Sequence, residues 1–136
     1  MNLNCQRKMP SIWLAMLFVT LSTSCNGDLR WTQKAFVPVP NIGFEGCVKA
    51  GITQVPGVSI TRFQFDRYTL NVDFQKPMPG VGAFIQKDDA ANVEILFFGK
   101  NWHESDNERA AITPILNALK EAIARNCMGL KSSSSH

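Results

Sequence analysis

The side chains best equipped for chemistry lie in one run, Trp102-His103-Glu104-Ser105-Asp106-Asn107-Glu108. The chain has two histidines, and His103 is the one outside the C-terminal tail. An imidazole beside a carboxylate can move protons near neutral pH, so His103 with Glu104 or Asp106 is a candidate acid–base pair. The same three residues are candidate metal ligands, but no second histidine or uncommitted cysteine joins them, and no cofactor is expected. A simpler use fits the run as well. Ser105 and Glu108 have the spacing of a capping box, and carboxylates favour the first turn of a helix. No Ser–His–Asp set, Cys–His pair or carboxylate dyad stands at a motif spacing, so the chain reads as non-catalytic. Met78-Pro79-Gly80-Val81-Gly82 lacks the lysine and following helix of a phosphate loop and reads as a turn.

The other reactive groups are four thiols, Cys5, Cys25, Cys47 and Cys127. Their roles depend on the N-terminus. Arg7 and Lys8 precede an uncharged run, Ile12 to Leu21, about ten residues long against the roughly 20 needed to span a bilayer. Small residues follow, so residues 1–24 read as a secretion signal. Leu21-Ser22-Thr23-Ser24-Cys25 resembles the lipobox of bacterial lipoprotein precursors, with Ser22 where Leu is usual and Leu21 one place early. The resemblance covers residues 1–25 only. It implies an acylated Cys25 as the first mature residue and a membrane anchor. Asn26 after that cysteine implies, by the same resemblance, sorting to the outer membrane, facing the periplasm. Ser22 and Ser24 also suit ordinary signal peptidase, which would release a soluble secreted protein.

Cysteine parity bears on this choice. With Cys25 acylated, Cys47 and Cys127 remain as one pair in an oxidising compartment. Without acylation, three exported thiols leave one unpaired. Parity favours the lipid.

Behind the signal, residues 25–41 read as the lipidated N-terminus and a tether, punctuated by Pro38 and Pro40. Residues 42–130 read as a single domain, and 131–136 as a disordered low-complexity tail. Phe44, Val48 and Ile52 recur at helical spacing, and Pro56-Gly57 ends that segment. Its Gly46-Cys47-Val48 through Val58 loosely resembles the first helix and strand of heavy-metal-associated domains. Their paired cysteines are missing, and no metal binding is carried over. Tyr68, Leu70, Val72 and Phe74 alternate with polar residues, which predicts a strand with one apolar face. Val58 to Phe65 is strand-like, but its apolar parity switches; a bulge near Arg62 or a turn at Asp66-Arg67 would reconcile it. Val81–Gln86 and Asn92–Gly99 complete four strands. Ile112, Ile115, Leu116, Leu119, Ile123 and Cys127 make a helical stripe, whose cleanest start is Thr113 as N-cap with Pro114 first in the helix. One longer helix containing Pro114 is the alternative.

The expected fold is therefore α+β: a four-stranded, mainly antiparallel sheet with two helices on one face, order α-β-β-β-β-α, the helices joined by a Cys47–Cys127 disulfide. Two helices cover one face only, and the strands carry more apolar residues than one face needs. Phe63, Phe65, Phe84, Leu96 and Phe98 are thus candidates for a binding surface.

Formal net charge is +3, with Arg7 and Lys8 in the leader and the remaining basic residues scattered, so no nucleic-acid partner is expected. The expected function is a membrane-anchored envelope lipoprotein that binds another envelope component, or itself, through an apolar sheet face or edge strand. The rivals are a small periplasmic enzyme or metal binder at His103, Glu104 and Asp106, and a soluble secreted effector or inhibitor.

Overall fold

A computed structural model describes residues 29–39, 43–88, 90 and 92–129. The residues expected to form the signal (1–24), the expected acylation site Cys25 and the expected tail (131–136) lie outside the described residues. Strand β1 is Trp31–Pro38, followed by helix α1, Phe44–Thr53. Then come β2 (Val58–Gln64), β3 (Arg67–Val72), β4 (Val81–Lys87), β5 (Asn92–Gly99) and α2 (Asp106–Gly129). The five strands form one antiparallel sheet in the order β1-β5-β4-β3-β2.

The expected four-stranded sheet of order α-β-β-β-β-α is corrected here. Trp31–Pro38, expected within the tether, pairs with all of β5, from Trp31 opposite Gly99 to Pro38 opposite Asn92. An edge strand can be this polar because only one of its faces meets the core and only one of its sides needs a partner. Pro38 is tolerated as the last residue of such a strand.

The parity switch in β2 is resolved by a register shift between Ile60 and Arg62. The shift leaves Thr61 unpaired in the ladder, its hydroxyl donating to the Thr69 carbonyl at 3.1 Å. Ile60 opposite Leu70 and Phe63 opposite Tyr68 thereby come to one face. Phe65 and Asp66 then make the two-residue hairpin loop to β3, with φ of 51° and 55°.

Helix α2 starts earlier than Thr113. Ser105 Oγ accepts from the Glu108 backbone N–H at 3.1 Å, and Glu108 Oε2 accepts from the Ser105 N–H at 2.7 Å. This reciprocal cap fixes the start, and Pro114 lies inside the helix on its exposed side. There the carbonyl left without a partner can meet water.

One apolar cluster forms the core. From the sheet it takes Val37, Tyr68, Leu70, Ala83, Ile85, Val93, Ile95 and Phe97, which alternate along their strands and share a face. From the helices it takes Phe44, Val48, Ile52, Ile112, Leu119 and Ile123. Cys47 and Cys127 are disulfide-bonded, linking α1 to α2 across 80 positions of sequence. Among the described residues no helix is long and apolar enough to cross a membrane.

Candidate interaction face

The register assigns the opposite face of the sheet residue by residue. β5 places Glu94, Leu96 and Phe98 there, opposite Gln86, Phe84 and Gly82 of β4. Beyond β4, Thr69 faces Phe84 and Arg67 faces Gln86; on the other side Lys34 and Phe36 of β1 flank β5. Leu96 is buried but does not belong to the core cluster. It lies within a second apolar group on this outer face, with Phe84 as its cross-strand neighbour. The Phe84 and Phe98 rings are 5.8 Å apart. Phe98 also lies across Gly82, filling the space a Cβ would need there. A glycine paired with an aromatic in this way keeps the strand covered.

Charged and amide groups cross the same face. Lys34 pairs with Glu94 at 3.6 Å, and Gln86 donates to Glu94 at 2.8 Å. Arg67 in turn donates twice to Gln86 Oε1, at 3.1 and 2.9 Å. The polar chain therefore runs over four strands. Its cations also shelter the rings: the Arg67 guanidinium is 4.6 Å from the Phe84 centroid and the Lys34 ammonium 5.7 Å from Phe36. Phe36 stays 47 % exposed, a large hydrophobe brought to this face by β1.

The five candidate surface residues divide into three places. Phe84, Leu96 and Phe98 share the outer face. Phe63 belongs to the core side of edge strand β2, its ring 4.4 Å from Tyr68 and 40 % exposed. Phe65 caps the hairpin tip at 91 % exposure.

The loop leading into α2 is organised around structural bonds. Glu104 accepts from Gln33 of β1 and from Arg109 Nε at 3.2 Å, which ties the loop to both the sheet and the helix. His103 and Asp106 are exposed. Among the described residues, no three His, Cys, Asp or Glu side chains gather closely enough to hold a metal ion. His103, Glu104 and Asp106 are therefore neighbours in sequence that do not assemble into a metal site.

The chain matches no protein-family model and no curated protein. Its chemistry must be read from its own surface.

Proposed function

We propose that the protein is an exported, lipid-anchored envelope protein without catalytic activity, both helices covering the core face and the outer face binding another envelope protein. One observation carries the binding role: Leu96 is buried within an aromatic group that is separate from the core and faces away from it. Aromatic rings with arginine beside them, rimmed by hydrogen-bonded polar groups, are the makeup of a protein-binding patch. The anchor rests on the resemblance of Leu21–Cys25 to a lipobox. It agrees with the disulfide, which uses up Cys47 and Cys127 and leaves Cys25 as the unpaired thiol of a chain cut after residue 24.

Photo-crosslinking from position 69, beside Phe84 on the outer face, tests this. One defined protein adduct is expected from that position and none from position 120 on α2. Phe84→Ser together with Phe98→Ser should abolish the adduct while the protein stays folded. Equal adducts from both positions, or no effect of the double substitution, would remove the outer face as the binding surface.

A further inference from the structure

Several unrelated features meet at one end of the sheet. β1 begins there: Trp31 and Val81 both pair with Gly99, so the three strand ends lie side by side. The β3–β4 ladder stops at Leu70 and Ala83, and the chain between the strands opens around a cavity of about 490 Å³. Val72, Phe74, Met78, Val81 and Phe97 give the cavity apolar walls, while nearly half of its lining, including Asn71 and Asp73, is polar, and it opens to solvent. A volume of this size lies within the range that accepts small apolar ligands.

The rim of this pole has an interfacial composition. Trp102 is 73 % exposed, and the Arg30 guanidinium stacks 4.1 Å from its ring. Leu29 is exposed beside them, and the Lys100 stem packs against Gly80. Tryptophan is enriched at the level of lipid headgroups, and Arg and Lys side chains extend their charges past apolar surface into water. The nearby carboxylates Glu104 and Glu108 are engaged by Arg109 and by the helix cap, which lowers their opposition to an anionic surface, and Asp73 at the cavity is the exposed carboxylate that Arg30 and Lys100 must outweigh. The opposite pole carries the Phe65–Asp66 hairpin tip.

We infer that this pole rests on the bilayer and that its cavity admits an acyl chain of a membrane lipid. The inference rests on the reading of Cys25 as lipid-bearing, and adds how the domain is oriented by that lipid. Leu29 lies four positions after Cys25, so an anchor there keeps the pole within about 14 Å of the membrane. The distance is too short for the domain to turn over freely.

The processed full chain, reconstituted in phosphatidylethanolamine–phosphatidylglycerol vesicles with brominated acyl chains, provides the test. Trp31 is a common background, and Trp102→Phe isolates the Trp102 emission. Bromolipid should cut that emission about two-fold. Phe65→Trp in the Trp102→Phe background should be unquenched, because it reads the far pole. Met78→Ser should weaken the Trp102 quenching while leaving the urea midpoint nearly unchanged. Acylated Cys25 by mass spectrometry with equal quenching at positions 65 and 102, or with none at 102, overturns the orientation alone. An unmodified Cys25 overturns the lipid reading and the orientation with it.

Discussion

Gly51 of α1 packs against the backbone of Ile123 in α2 so closely that a Cβ would lie 2.7 Å from the Ile123 Cα. A main-chain atom cannot rotate away as a side chain can, so the helices would have to part. Gly51→Ala should therefore destabilise the fold by about 1–3 kcal/mol, despite the better helix propensity of alanine. Gly46, five residues earlier, has nothing within 4 Å of its Cβ position. Gly46→Ala should stabilise by roughly 0.5–1 kcal/mol. Urea midpoints moving in opposite directions for two identical substitutions in one helix would confirm the close contact; a shared direction would refute it.

The Cys47–Cys127 bond closes most of the domain into a loop. In the chain-entropy model a loop of 80 residues contributes about 4.5 kcal/mol, a large share of what a domain this size has in total. Replacing both cysteines with alanine should lower the urea midpoint accordingly. Reductant should shift the wild type to the same place and leave the double variant unmoved.

Tyr68 is the sole tyrosine, so its ionisation can be followed directly by ultraviolet absorbance. Burial, and then the charge of Glu45, raise its pKa to about 12, and its hydroxyl donates to the Glu45 carbonyl at 2.9 Å. The unfolded chain gives up this proton near pH 10, the folded one only two pH units later. The stabilisation is thus fully present below pH 10 and is lost as pH rises towards 12, by an amount on the order of 2 kcal/mol. Tyr68→Phe should flatten this alkaline decline. A folded-state titration midpoint near 10 would disprove the burial effect.

The β2–β3 loop holds two non-glycine residues, Phe65 and Asp66, at positive φ. A large aromatic there is strained, and asparagine followed by glycine is the preferred pair for such a loop. Phe65→Asn with Asp66→Gly should stabilise the protein by about 1 kcal/mol. Thermal unfolding measures it, and an unchanged or lower midpoint would count against the loop geometry.

Much of this fold was legible in the residues. The alternation of Tyr68, Leu70 and Val72 marked β3, and the spacing of Phe44, Val48 and Ile52 marked α1. β1 is hidden in the linear pattern because its apolar residues serve two faces, Val37 in the core and Phe36 outside, and Pro38 and Pro40 imitate a linker. Trp31, Gln33, Ala35 and Val37 do alternate inward, a pattern that was there to be found. For α2 the residues offer two starts, Thr113 with Pro114 and the Ser105–Glu108 cap, and the reciprocal cap is the one that forms, because a proline on the exposed side of a helix is tolerated. The outer-face residues Phe84, Leu96 and Phe98 could be picked out as surplus apolar groups. Which of them share a surface depended on register across strands, and a linear pattern does not hold that information.

Sheet order has a consequence for how the molecule assembles. β2 to β5 pair in succession, each with the strand just made, so these hairpins can zip locally and early. β1 precedes all of them in the chain and yet, among the described strands, has β5 alone as its neighbour. It stays unpaired until the final strand is in place, and the helix carrying Cys127 lies further along the chain still. Closing these distant contacts is the slow event, so maturation of the domain should be timed by its last third.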